Sequence, residues 1–229
     1  VKPETPGGAK ESPPDGLLAA LNRSLPIVGL VGGVASGKSF VAQELGRLGA
    51  TIVDADKIGH EVLREPGIIE KSRERWTDAI LDSDGQIVRS RLAKIVFAPP
   101  PAGPIELAFL ERLTHPRIHQ RLQIVCETAK SQPDVQTIVL DAPVLFKAGW
   151  NRFCNKIVFV DAPYATRLER ARMRGWSEED FLRREAAQES LDAKRANADI
   201  VLDNSGSLDF LAQQVADLWN QMISPPAAP

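Results

Sequence analysis

An apolar run, Pro26-Ile27-Val28-Gly29-Leu30-Val31, stops at Gly32-Gly33-Val34-Ala35-Ser36-Gly37-Lys38-Ser39, and this junction constrains the chain more than any other stretch. A buried strand has to end abruptly there and turn into a helix. Glycines at 32, 33 and 37 leave the backbone free to curl its N–H groups around an oxyanion. A helix beginning near Lys38 adds the positive end of its dipole to that cradle. The letters fit G-x-x-x-x-G-K-[ST], which assigns the backbone at Gly33, Ala35, Ser36 and Gly37 to phosphate, Lys38 to the β- and γ-phosphates, and the Ser39 hydroxyl to a magnesium ion. Strand, loop, lysine and hydroxyl follow in the required order, so a nucleoside triphosphate is the expected ligand.

Five short Val/Ile-rich runs, 27–31, 51–53, 137–140, 156–160 and 199–202, each end in a polar or turn residue and are separated by helical patterns. That alternation predicts right-handed crossovers and a parallel sheet covered on both faces. Ligands of such sheets bind at the carboxyl ends of the strands. The polar clusters fall there: Asp54-Ala55-Asp56, Asp141-Ala142-Pro143, Asp161-Ala162-Pro163 and Asp203-Asn204. The helix after the loop carries Val41, Leu45 and Leu48 on one face and stops at Gly49.

Residues 57–136 are far longer than the dozen or so that a crossover needs, and they predict a helical insertion on the substrate side. Its helices are expected at 58–64, 67–76, 90–97 and 105–129, the last broken or bent near Pro116, with Asp84-Gly85, Pro99-Pro100-Pro101 and Gly103-Pro104 as breakers. A basic helix at 164–174 holds Arg167, Arg170, Arg172 and Arg174. A second opens at Ser177 with the acidic capping pattern Glu178-Glu179-Asp180 and runs through Arg183, Arg184 and Gln188. These two helices, about 164–190, read as a mobile lid. A final helix, 208–222, aligns Leu211, Val215, Leu218 and Met222 for the core. The folded unit is expected at 25–223, between a Pro/Gly-rich disordered leader (1–24, with a short helix at 16–23) and a flexible tail (224–229).

Charge decides what the partner is not. With 28 Lys and Arg against 30 Asp and Glu, the net charge of -2 gives no field toward nucleic acid or a membrane surface, and a small molecule is the expected partner of a monomer. No apolar run approaches the ~20 residues of a membrane span. Cys126 and Cys154 form no C-x-x-C pair, as for reduced thiols of a cytoplasmic protein. There is no guanine-reading Asn-Lys-x-Asp segment and no Leu-Ser-Gly-Gly-Gln signature, which argues against a GTPase and a transport ATPase. His115 and His119 are four apart, but the intervening Pro-Arg-Ile lacks the Glu of a zinc helix and no third ligand is evident.

A kinase acting on a small alcohol needs a carboxylate near the γ-phosphate, and Asp56 is the candidate, as base or orienting group. Its competing reading is an N-cap for the helix at 58–64. Asp54 would hold magnesium through water or brace Lys38. Asp141 ends an apolar strand, where it would contact the metal or cap the turn before Pro143. Arginine suits a phosphate clamp because its planar guanidinium bridges two oxygens. Arg167, Arg172 and Arg183 read instead as solvated helix surface, with Arg184 intermediate.

From Pro26 to Trp219 the chain resembles the dephospho-CoA kinase family. The residues that carry the resemblance are the loop at 32–39, Val53-Asp54-Ala55-Asp56, Glu65-Pro66-Gly67, Gly85 with Arg89 and Leu92, Phe97, His115-Pro116-Arg117-Ile118, Asp141-Ala142-Pro143-Val144-Leu145-Phe146, Arg170 with Arg174, Gln188, and Ala198-Asp199 with Asn204 and Gly206. The resemblance implies an α/β P-loop kinase sandwich of three layers, with a five-stranded parallel sheet, a helical substrate-side insertion and an Arg-rich lid. It implies transfer of phosphate from ATP, with Mg2+, to the ribose 3′-hydroxyl of dephospho-CoA, the last step of coenzyme A synthesis. By the same resemblance Lys38, Asp56 and Arg170 are catalytic; Arg170 and Arg174 close over ATP; Asn204 lies near the adenine; and Asp56, Arg89, His115 and Asp141 face the acceptor, with His119 left on the helix surface. Four positions depart from the family pattern. Phe40 replaces a second hydroxyl, so the α-phosphate keeps only backbone donors there. His60 replaces an Arg, Lys147 a Glu, and Arg167 a lid Gln. Two other readings stay open from the residues: a different nucleoside or nucleotide kinase of the same scaffold, and an ATP-binding sensor without transfer.

Overall fold

The strands are near-continuous runs of apolar residues because the sheet is buried on both faces, the condition under which parallel sheets form. The computed structural model describes residues 25–223; the leader, its short helix and the tail expected from the sequence lie outside them. Among the described residues the strands are β1 (Ile27–Gly32), β2 (Ala50–Asp54), β3 (Thr137–Asp141), β4 (Lys156–Asp161) and β5 (Ile200–Asp203). They pair in the order β2-β3-β1-β4-β5, every pair parallel. All five expected strands are present to within a residue.

Alternation along β1 divides the core. Val28 and Leu30 face one layer, with α1 (Lys38–Arg47) and the C-terminal helix, which carries buried Leu211, Val215 and Leu218. Ile27 and Val31 face the other, with α2 (Ala55–Val62) and the long helix of the insertion. Leu48, expected on the buried face of α1, is exposed, because it is already the cap residue at which the chain leaves the helix toward Gly49 (φ 110°).

The insertion continues as α3 (Pro66–Trp76), α4 (Arg89–Val96) and α5 (Ala102–Lys130) and has its own core of Trp76, Ile80, Leu81, Leu92 and Val96. Two expected breaks are absent. Gly103-Pro104 lies in the first turn of α5, where a missing N–H costs nothing because those amides have no partner inside the helix. Pro116 does not end α5 either, since Ile118, Leu122, Cys126 and Ala129 beyond it are buried against the sheet layer, and that burial outweighs one lost backbone bond.

After β4 come α6 (Tyr164–Met173), α7 (Glu178–Ala186) and α8 (Leu191–Ala196), then β5 and α9 (Leu208–Ile223). The α7 start is a capping box, with Ser177 Oγ accepting from Asp180 N–H and Asp180 accepting from Ser177 N–H. The helix stops at Ala186, short of the expected Gln188, and α8 is an element that periodicity alone does not predict.

Candidate functional site

A loop that aims its amides at a ligand must turn its carbonyls the other way, and those carbonyls need donors. Each one at this loop whose partner can be traced is held. Gly33 O accepts from Ser36 N at 3.2 Å, and Gly37 O from Phe40 N and Val41 N as α1 begins. Ser36 O accepts from the Asn204 amide at 2.6 Å and from Arg170 Nη1 at 3.3 Å. Val34 O accepts from Arg167 at 3.4 Å, and Gly32 O from Lys194 Nζ at 3.3 Å. Side chains from α6, α8 and the end of β5 thus brace the outer face of the loop, and the Lys38 and Ser39 amides that open α1 are left for an anion.

Two backbone positions show why the loop needs its small residues. Gly37 sits at φ 103°, and any Cβ there would run into the Asn204 amide. Ala35 is at φ 58°, the left-handed region that side chains disfavour. It is sustained because Val34 and Ala35 pack under Leu168 and Ala171 of α6 and Phe181 of α7.

The charged centre forms where three strands end. Lys38, in the first turn of α1, has its pKa lowered by burial and by Arg174, with Asp141 and Asp56 pulling it back up. Asp141 is set beside Asp54 by the β2–β3 register. Burial pushes its pKa up to about 6 against the pull of Lys38, and its buried Oδ1 has no hydrogen-bond partner. It therefore does not cap the turn before Pro143 through that oxygen. Asp54, not Asp56, caps α2, accepting from Lys57 N at 2.9 Å. That frees Asp56, whose side chain opens toward solvent while the surrounding protein and the Asp54 charge raise its pKa, and His60, Lys38 and Arg89 lower it. Lys38, Asp56, Asp141, Arg89 and Arg174 are thus within electrostatic reach of one another or of a shared neighbour.

His115 stands edge-on to Trp150, ring centres 5.5 Å apart, and burial lowers its pKa; the charges that reach it are Glu111 and Lys147, which pair at 2.5 Å. His119, expected on the helix surface, packs against Phe153 at 4.7 Å. Ser39 is exposed at the mouth of the loop, and Phe40 packs into the core layer of α1. Asn204 is 1% exposed and both ends of its amide are engaged, one on Ser36 O and one accepting from Arg170 at 3.2 Å. Its side chain holds the loop.

Arg167 is the largest correction. Expected as solvated surface, it is 3% exposed, pairs with Glu185, donates to Ala162 O and Val34 O, and lies over the Phe181 ring at 5.4 Å. The signal was present: 164, 167, 168 and 171 form one helical stripe, and the apolar Leu168 and Ala171 are buried on it beside Arg167. Arg172 and Arg183 do lie on the surface, paired with Glu178 and Asp180. Arg184 stacks on Trp176 at 4.1 Å. Sequence reasoning also missed Lys194, buried beneath the loop. Burial pushes Cys154 up to about 12, which argues against a catalytic thiol there.

A cavity of about 740 Å3 opens separately on the insertion between α3 and α5, walled by Lys71, Arg112, Leu113 and Pro116. Glu65 joins its two sides by accepting from Arg117 at 2.7 Å and Arg121 at 2.9 Å, which ties the Glu65-Pro66 start of α3 to α5. No helix among the described residues is long and apolar enough to cross a membrane.

Residues 26–209 match the family model described as Dephospho-CoA kinase. The chain is 37% identical over 201 residues to the dephospho-CoA kinase of Corynebacterium diphtheriae, covering 86% of this chain and 98% of that one. It is 35% identical over 200 residues to that of Aquifex aeolicus, covering 87% and 98%. Among solved structures, a Thermus thermophilus protein superposes with a TM-score of 0.73 at 29% identity, covering 88% of this chain and all of that one. The dephospho-CoA kinase of Campylobacter jejuni shares the fold with a TM-score of 0.58 at 20% identity, covering 86% and 97%.

Proposed function

The chain belongs to the dephospho-CoA kinase family, and from that membership we propose how its residues divide the work of phosphorylating dephospho-CoA with ATP to give CoA and ADP. The observation that carries the assignment is the convergence of Lys38, Asp56 and Asp141 at the carboxyl ends of β1, β2 and β3. Phosphoryl transfer passes through a loose transition state, so catalysis is mostly positioning and charge stabilisation. The backbone of 33–40 and Lys38 hold the triphosphate, and Lys38 follows the charge that moves to the β–γ bridge. Asp56, with a raised pKa and no capping duty, accepts the proton of the attacking ribose 3′-hydroxyl. Arg89 lies on the same acceptor side.

Arg170 and Arg174 close on the phosphates from the lid, about 164–190. Arg174 is close enough to depress Lys38, while Arg170 starts from the outer face of the loop, on Ser36 O. Asn204 serves the nucleotide through the loop it braces. The insertion, 57–136, forms the acceptor wall, with His115 part of its packing. Magnesium fits the oxygen donors present: the exposed Ser39 hydroxyl as ligand and the partnerless Asp141 Oδ1 toward its water shell. When bound, the ion would neutralise charge between the β- and γ-phosphates. The enzyme works as a cytoplasmic monomer on small molecules, a reading supported by its balanced charge and two free thiols.

The test is purified protein with ATP, magnesium and dephospho-CoA, CoA being read by chromatography. Asp56→Asn is expected to lose about 10²–10⁴-fold in kcat with ATP binding retained. Unchanged turnover removes Asp56 from the role. Absence of CoA from the wild-type protein with ATP still bound favours the sensor reading.

A further inference from the structure

Lys194 is a lysine with no exposed surface, on a short helix that no part of the reaction scheme uses. Lysines are almost never fully buried unless paired. Its ammonium donates to Gln188 Oε1 at 2.6 Å and to Gly32 O at 3.3 Å. Gly32 is the last residue of β1, the point where the strand gives way to the phosphate loop. The peptide whose carbonyl Lys194 holds is the one that links Gly32 to Gly33, so fixing that oxygen fixes the direction of the Gly33 amide. The strand end is closely enclosed at this point, where only glycine fits: a Cβ at Gly32 would meet Ser36 Oγ at 2.6 Å and Val160 O at 2.8 Å.

We propose that Lys194 is a positioning residue of the phosphate loop, holding the Gly32 carbonyl from beneath and adding a buried positive charge behind the triphosphate. The inference rests on the kinase reading above and assigns Lys194 no contact with substrate.

The same burial gives the residue a pH signature. Burial pushes the Lys194 pKa down to about 8, with Lys38 and Arg167 adding to the fall and Glu189 and Glu185 opposing it. These are the charges that face it from α1, α6, α7 and the segment before α8. The cation, and with it the brace, is complete below that value and is lost as pH rises through it. Bound triphosphate favours the protonated form, so the loss belongs to the free protein. It should appear in kcat/KM for ATP and be weaker in kcat, since the first reports the free enzyme and the second the complex.

The test measures ATP binding by calorimetry and turnover with dephospho-CoA from pH 6.5 to 9.5, a range of about three pH units chosen around the shifted lysine. Lys194→Met, which keeps the length without the charge, is expected to lower kcat/KM for ATP by about 10- to 100-fold, the scale of a charge-assisted hydrogen bond. It should also lack the alkaline fall. Lys194→Arg should recover most of the activity and move the fall beyond the range. Gln188→Glu puts a carboxylate against the ammonium and should shift the fall to higher pH, a response that a merely structural lysine would not give. The proposal is overturned if Lys194→Met keeps its kcat/KM and its alkaline fall, or if Lys194→Arg is as impaired as Lys194→Met with the profile of the wild type. Should Lys194→Met not fold, Gln188→Glu decides, and an unmoved profile overturns the idea. A wild type that binds ATP but makes no CoA counts against the kinase reading, while the calorimetric pH profile still tests Lys194.

Discussion

Replacing Arg167 by Leu should be among the most damaging single changes away from the reacting atoms. The guanidinium is 3% exposed and its partner Glu185 is 21% exposed. Removing it strips donors from Ala162 O and Val34 O and leaves the Glu185 carboxylate without its ion-pair partner, with only the charge of Lys194 in reach. Breaking one side of a buried pair costs about 3–5 kcal/mol. Because water still reaches part of Glu185, the lower end of that range, about 3 kcal/mol, is the expected loss. In a chain of this size each kcal/mol lowers Tm by about 2–4 °C, so a fall of about 6–12 °C is expected by circular dichroism. The double variant Arg167→Leu/Glu185→Leu removes the stranded carboxylate as well and should regain at least half of the loss. The cycle should give a coupling of about 2 kcal/mol or more. A Tm for Arg167→Leu within about 2 °C of wild type, or a cycle with no coupling, would refute the account of a buried ion pair holding α6, α7 and the loop together.

Gly37→Ala should leave a folded protein that no longer binds ATP tightly, since the new methyl displaces the Asn204 amide from Ser36 O at a backbone angle of φ 103°; calorimetry with ATP reads the loss, and wild-type affinity would contradict it. Ser177→Ala removes the hydroxyl that caps α7 and should cost that helix about 1 kcal/mol. Hydrogen exchange should then quicken across 178–186 while the strands stay protected, and unchanged exchange there would sink the prediction.

What the sequence reveals and what it hides separate along a physical line. The strands are legible because burial on both faces writes itself as unbroken Val and Ile, as in Thr137-Ile138-Val139-Leu140. The phosphate loop is legible because its chemistry is local, eight residues doing one task. The acidic ends of β2 and β3 follow from the parallel topology, which puts Asp54 opposite Asp141. Arg167 and Lys194 are not legible in the same way, because a cation on a helix is ordinarily solvated. What buries them is a pair of carbonyls 133 and 162 residues distant in sequence. Asp54 and Asp56 are two apart at the head of one helix, and only the bond from Lys57 N tells which one is the cap. Pro116 misleads for a related reason: a local rule against proline yields to the packing of Ile118 and Leu122 beyond it.

The strand order carries a consequence for how such a protein can change. The chain leaves β2 for residues 55–136 and re-enters on β3, its hydrogen-bonded neighbour; it leaves β4 for residues 162–199 and re-enters on β5, again its neighbour. Each excursion is anchored on its own flank, and neither crosses β1. Lengthening one is a matter of closing a longer loop, a cost that grows only logarithmically. The insertion proposed above as the acceptor wall can therefore be exchanged as a cassette, leaving the register of the strands around the phosphate loop undisturbed.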